Sequence, residues 1–549
     1  MNRRDFIVLG GACAAAAGIS HGLSRREKPL LEERVVAEIP GHIVGADVVH
    51  GHLLRDGNVP APTREIKTEV LIAGGGIAGL SAAWALDRAG WNDFLVLELE
   101  REAGGTSTWG SYPASKCPWG AHYLPLPSPR ARAAVALLEE LKVIVGTRPD
   151  GAFAFEERYL CHEPQERLHM YGTWQEGIYP HLGATREEMA ERAAFNADME
   201  RWRKKIGRDG KPAFTIPIAE CSRDPEILAL DKMSMADYMA QKKWTGKRIQ
   251  WYVGYACRDD YGCRPEDTSA WVGIHYFASR GQGRGHGYES DEVLTWPEGN
   301  GWIARQLRER VAGRLMPRML VLRMAETRDG VEADALDVER GEVTRVRARH
   351  AIAAMPRFIA ARVVAGYAPR VKAWSYAPWV VSNVAVDRPP PERRRAGFPL
   401  AWDNVRYDSE TLGYVVATHQ SLRTVPGPTV LTHYLPLLGP PREARAAALD
   451  RPWTHWRDAV LADLAVPHPG IEQTVQRLDT MVWGHAMVRP VPGFVWSEER
   501  RAGARPQGRI RFAHCDLSGI AIFEEAQYHG VAAAESVMRA ARHGFAPLT

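Results

Sequence analysis

The chain has 549 residues, of which 45% are hydrophobic and 25% charged, with a formal net charge of +4. This composition excludes a disordered chain, and the length predicts two intertwined domains or one domain with a large insertion. So weak a charge, with no dense Lys/Arg run interleaved with aromatics, predicts no nucleic-acid partner.

The first twenty residues carry Arg3 and Arg4 ahead of Asp5, Phe6 and Ile7, then an Ala/Gly-rich apolar stretch too short to span a bilayer. They match the twin-arginine export pattern. The expectation is a periplasmic or exported protein, passed already folded through the twin-arginine export machinery and cleaved near Ala17. Lipid anchoring at Cys13 is the alternative, and no transmembrane span is expected. Residues 21–66 hold scattered Pro and Gly without periodicity and read as a linker plus an arm wrapping the first domain. Beyond Cys13 the six remaining cysteines are too sparse for a disulfide scaffold. Cys257 and Cys263 are close enough in sequence to bridge, and their spacing fits no zinc pattern, so no metal site is expected. Arg393–Arg395, after three prolines, reads as a solvated loop.

Val70 to Ala73 form a short apolar run of the kind that makes a buried parallel strand. Gly74, Gly75, Gly76, Ile77, Ala78 and Gly79 follow and lead into a helix-forming stretch, after which Phe94 to Leu97 form a second apolar run ending at Glu98. This strand, glycine turn, helix, strand and acid make a dinucleotide-binding unit. Gly74 permits the tight turn, Gly76 the approach of a pyrophosphate, and Gly79 close packing of helix on strand, while the helix N-terminus faces the phosphates. Glu98 is placed to accept hydrogen bonds from the adenosine ribose hydroxyls.

A second glycine pair, Gly104 and Gly105, follows Glu98 in Arg101-Glu102-Ala103-Gly104-Gly105-Thr106. With it the chain resembles the FAD-dependent amine oxidase superfamily, which includes monoamine and polyamine oxidases, L-amino-acid oxidases, protoporphyrinogen oxidase and phytoene desaturases. Further matches lie far downstream, so the resemblance spans about residues 67–545. They are Gly299-Asn300-Gly301 before a central helix, Ala351 to Pro356 returning towards the flavin, and the closing strand Arg509 to Ala513. The resemblance implies an α/β fold in which a Rossmann-like FAD-binding domain (67–125, 297–370 and 481–549) is interleaved with an α+β substrate domain (126–296 and 371–480). It also implies that Asp516 reaches the ribityl chain, that Val321 lies at the adenine, and that Phe523 and Glu524 open a helix facing the flavin pyrimidine ring.

For the reaction, the resemblance implies a substrate C–H bond held against the flavin for hydride removal. This chain departs from the simple amine oxidases in three places. Asn383 stands where they carry a Lys, Ala486 and Ile522 where they carry two flanking aromatic rings, and His485 where some attach the flavin to Cys. Pocket candidates are His122 and Tyr123 in Trp119-Gly120-Ala121-His122-Tyr123, and the group Arg258, Asp259, Asp260, Tyr261, Trp271, His275 and Tyr276. A histidine can take a substrate proton and Asp259 can hold a cation. The same residues also fit core packing, with Arg258–Asp259 as an internal salt bridge. The expected activity is FAD-dependent dehydrogenation of a C–N bond in an amine or polyamine-like substrate, or of a C–C bond, with oxygen or a respiratory carrier as electron acceptor. A desaturase acting on an apolar isoprenoid or tetrapyrrole predicts instead a wide apolar tunnel without acids. A flavin-binding partner or redox sensor without turnover predicts a closed flavin face.

Overall fold

The computed structural model describes residues 31–55, 60–280, 292–367, 373–393, 397–423 and 425–549. The export motif with Cys13 lies outside them, as do Arg394 and Arg395. Two sheets organise the chain.

The first is built on the parallel strands Leu315–Met316, Phe94–Leu97, Arg64–Ala73 and Glu342–Ala353, in that order. Val331–Asp337 and Met319–Glu326 extend it antiparallel. Ile510–Phe512 takes over the last positions of the same edge of Glu342–Ala353. Val70, Leu71, Ile72 and Ala73 are fully buried, as a parallel strand covered on both faces requires. One cover is the helix Ile77–Arg88, against which the C-terminal helix Phe523–Ala540 packs.

The second sheet has eight strands, in the order Ile43–Val44, Val475–Val488, Tyr376–Val386, Thr429–Pro436, Tyr414–Val416, Asp403–Arg406, Glu166–Met170 and Thr173–Glu176. Helices Arg186–Lys204, Lys247–Tyr261 and Ala270–Ala278 build an aromatic-rich core beside it. Their limits are written in the sequence. Thr185 and Glu188 form a capping box, with mutual hydrogen bonds of 3.2 and 2.9 Å. Gly262, at φ 59°, ends the Lys247–Tyr261 helix in the left-handed conformation, leaving Asp259 and Asp260 in its last turn. Among the described residues no helix is long and apolar enough to cross a membrane.

Two sequence expectations need correction. Residues 31–55 do not simply wrap the first domain. Ile43 and Val44 pair in parallel with Thr480 and Met481 of the second sheet, and Val36 and Ile39 sit in its core, because β-branched residues there complete an open edge. The Val475–Val488 strand also runs unbroken through 480, where the sequence reading divides the two domains. Cys257 and Cys263 are buried free thiols; the Cys263 thiol donates to the Tyr261 carbonyl at 3.2 Å.

Candidate active site

A cavity of about 880 Å³ lies between the two sheets, in the range of small-molecule and cofactor sites. The glycine turn makes one end. Gly74 has φ 107°, and a Cβ there would lie 2.2 Å from the Ala354 carbonyl oxygen; one on Gly79 would lie 1.8 Å from that of Gly74. Both glycines are therefore required by the turn itself. A Cβ on Gly76 meets nothing closer than Gly105 Cα at 3.8 Å, so its missing side chain leaves room for a ligand. The two glycine motifs, separate in sequence, thus face each other backbone to backbone. Gly74, Gly76, Ile77, Ala78, Gly104 and Gly105 all line the cavity, at the N-terminus of the Ile77–Arg88 helix. Gly79 lies behind them, packed on Gly74.

Glu98 closes this end. Its carboxylate accepts from Gly75 N at 2.6 Å and Glu100 N at 2.8 Å, while burial pushes it above the usual carboxylate range. Val321 lines the cavity beside it. Further along, Asp516 accepts from Tyr376 Oη at 2.6 Å and Arg357 N at 2.9 Å. Burial opposes its ionisation, yet the neighbouring His514 and these donors hold Asp516 down at about 2. Burial by itself would also oppose a charge on His514, but Asp516 raises it to about 10. The cradle thus offers free backbone, the Glu98 carboxyl on the glycine turn and the ionised Asp516 further along, which suits an extended dinucleotide.

The other end carries the remaining candidates. Tyr123 Oη lies 3.3 Å from Asp259 and 3.2 Å from Asp260, and accepts from Arg280 at 3.0 Å. Arg280 reaches both Asp260 oxygens, at 2.6 and 2.7 Å. The salt bridge expected within Arg258–Asp259 is therefore made by Arg280 with Asp260, because helical spacing turns the Arg258 side chain away from Asp259. With Arg280 committed to Asp260, burial and the Asp260 charge raise Asp259 to about 7. Burial likewise raises Glu524 to about 7, and its Oε1 is buried with no hydrogen-bond partner. Phe523 and Glu524, in the first turn of the C-terminal helix, both line the cavity.

His122 lines the cavity and packs on Tyr434, ring centroids 4.5 Å apart. Burial pushes it down to about 4, so it is a neutral aromatic wall at pH 7. His275 reaches the cavity but engages the Thr215 carbonyl through Nε2 at 3.0 Å and stacks on Trp271. Burial lowers it to about 4 as well. Asn383 is corrected. It does not line the cavity: its amide donates to the Pro118 carbonyl at 3.0 Å, and its oxygen accepts from Thr432 at 2.6 Å. Tyr376, Trp379 and Val381 are the residues of that strand that reach the cavity; Asn383 shares the face of Trp379 and Val381 but lies further along the strand, beyond the cavity wall, where Pro118 and Thr432 take up its amide. Ala486 and Ile522 do line the cavity, and rings come from Tyr434, Trp379 and Trp483 instead.

A Rossmann-like NAD(P)-binding domain model matches residues 72–141. A solved putrescine oxidase superposes with TM-score 0.64 at 18% identity, covering 86% of this chain and 100% of its own. Cyclohexylamine oxidase from Brevibacterium oxydans gives 0.61 at 14%, covering 86% and 99%. The fold is that of the flavin amine oxidases. The amine oxidase fold explains why one chain weaves twice between two sheets and leaves its cavity at their junction. Curated relatives match only locally. A Baeyer-Villiger monooxygenase of Penicillium patulum is 48% identical over 50 residues, 9% of this chain and 8% of that protein. Another, from Stachybotrys chlorohalonatus, is 31% identical over 135 residues, 24% of this chain and 18% of that protein. The chain thus spans less than a fifth of these relatives' lengths.

Sequence reasoning missed Arg280, Tyr434 and residues 46–55 as cavity wall. Arg280 had a faint signal, a single cation closing the apolar stretch 270–279. Tyr434 had none, being one aromatic in a buried strand.

Proposed function

We propose that the chain is an FAD-dependent oxidoreductase that removes hydride from the carbon beside an amine nitrogen. The observation carrying this reading is that Asp259, half-buried, and Glu524, buried, have no salt-bridge partner of their own among the described residues and line the cavity that also holds the glycine cradle. An apolar substrate would leave both acids unpaired, whereas a cationic amine compensates them. This favours amine oxidation over the desaturase alternative, whose tunnel would be free of acids.

Gly76, Gly105, Glu98 and Asp516 would hold FAD, which supplies the hydride acceptor when bound. Asp259 and Glu524 bind the ammonium end and, with proton affinities raised to near neutrality, take the proton an ammonium must lose before its lone pair can form the C=N bond. Tyr123 and Arg280 fix the Asp259–Asp260 pair, while His122 and Tyr434 exclude water from one wall. The departing electrons go to oxygen or a respiratory carrier. Arg3 and Arg4 support export by the twin-arginine route as part of the same proposal.

The test is an absorbance spectrum of the purified protein before and after anaerobic addition of amines, polyamines and amino acids. A flavin band bleached by a cationic amine supports the reading. A flavin band that no amine bleaches removes it in favour of the desaturase, and no flavin after reconstitution removes the cofactor. A fusion of the first 30 residues to a reporter that stays cytoplasmic would remove the export proposal.

A further inference from the structure

We propose that Ala46–Arg55 forms a strap across the dinucleotide, an additional cofactor-binding wall outside the glycine motifs, latched by Asp47. The proposal rests on the FAD reading above.

The strap is anchored upstream by the pairing of Ile43 and Val44 with Thr480 and Met481 of the second sheet. It then crosses to the first. Ala46, Val48, Gly51, His52, Leu54 and Arg55 line the cavity beside Glu98 and Leu99. The segment has two faces: Leu54 is 9% exposed, turned into the core, while Val49 is 73% exposed on the outside.

The latch joins the strap to the acid that faces the ribose. Asp47 N donates to Glu100 Oε1 at 2.7 Å, and Glu100 N donates to Glu98 Oε1 at 2.8 Å. Arg318 donates through one nitrogen to Asp47 Oδ2 at 2.9 Å and to the Leu99 carbonyl at 3.1 Å. Asp47 also accepts from His50 N at 3.1 Å, which caps the short turn carrying the lining residues. A single side chain therefore fixes the turn's shape and its seat on the first sheet.

Charge gives an independent argument. Arg55, Arg362 and Arg445 line the same cavity, and none has a carboxylate partner among the described residues. Arg55 contacts His52 Nε2 at 2.9 Å, cation to ring. Burial and the nearby Arg55 hold the Arg445 guanidinium below its ordinary value. Such a cluster repels itself until an anion enters, and the pyrophosphate of a dinucleotide brings two negative charges. The strap thus contributes Arg55 to an anion-compensating wall and must lift for the cofactor to leave.

The experiment measures FAD release from the full-length holoprotein, as the rise in flavin fluorescence on dilution, for wild type, Asp47→Ala, Arg55→Ala and the outward Val49→Ser. At least tenfold faster release in Asp47→Ala and Arg55→Ala, with Val49→Ser at the wild-type rate, supports the strap. Arg55 is exposed and bonded only to His52, so its variant keeps the test decisive if Asp47→Ala fails to fold. Unchanged release in Arg55→Ala and in a folded Asp47→Ala overturns the strap while leaving the FAD reading intact. A wild-type protein that takes up no FAD overturns both.

Discussion

His514 Nδ1 lies 3.0 Å from Asp516 Oδ1, and both residues line the cavity. Each partner shifts the other in the direction that keeps both charged. Asp516, lowered from 3.8 to about 2, contributes stability that is present above about pH 4 and fades as pH falls towards 2. His514, raised from 6.5 to about 10, contributes stability that is present below about pH 6.5 and fades as pH rises through 10. Asp516→Asn removes the counter-charge of a partly exposed imidazole, which then gives up its proton, and should cost roughly 1–3 kcal/mol. Urea unfolding across pH checks this: the variant's stability should lose the wild type's plateau.

The glycine motif separates folding from binding. Gly74→Ala and Gly79→Ala place a Cβ on backbone carbonyls and should give little folded protein. Gly76→Val meets no protein atom within 3.4 Å at its Cβ and should fold, yet block the pyrophosphate and yield colourless protein. Normal flavin content in a folded Gly76→Val would refute the cofactor placement.

The acid pair predicts a pH dependence. Burial raises Asp259 and Glu524 to about 7, so the ionised fraction of both grows as pH rises through neutrality and a cationic substrate should bind more tightly. In steady-state kinetics Glu524→Gln should raise KM about tenfold or more at pH 8 and leave much less change at pH 6. Equal effects at both pH values would argue against charge recognition.

Asn383 is fully buried and joins Pro118 to Thr432. Asn383→Ala leaves two buried partners unpaired and should lower stability by about 2 kcal/mol. Asn383→Lys buries an unpaired cation and should reduce soluble yield rather than alter the flavin spectrum. A well-folded Asn383→Lys with changed turnover would return this residue to the active site.

The fold was legible because its signals are local. The Val70–Ala73 run, Gly74 to Gly79 and Glu98 lie within one supersecondary unit, and the second glycine pair follows within a few residues. Spacing along the chain there equals spacing in space. Asp259 was legible as a candidate because a carboxylate among Arg, Tyr, Trp and His residues can hold a cationic substrate.

The rest depended on contacts between distant segments. That Asp260, not Asp259, takes Arg280, and so leaves Asp259 free to titrate, follows from helix geometry meeting another helix's end. That Asn383 meets Pro118 rather than the cavity follows from how far the cavity reaches along its strand, since Val381 on the same face still lines it. That residues 46–55 close the cofactor groove follows from strand pairing at Thr480, more than 400 residues away. Sequence by itself determined the dinucleotide unit, since its turn geometry is forced residue by residue. Only tertiary structure decided which charges are left uncompensated in the cavity, because compensation is a property of neighbours in space.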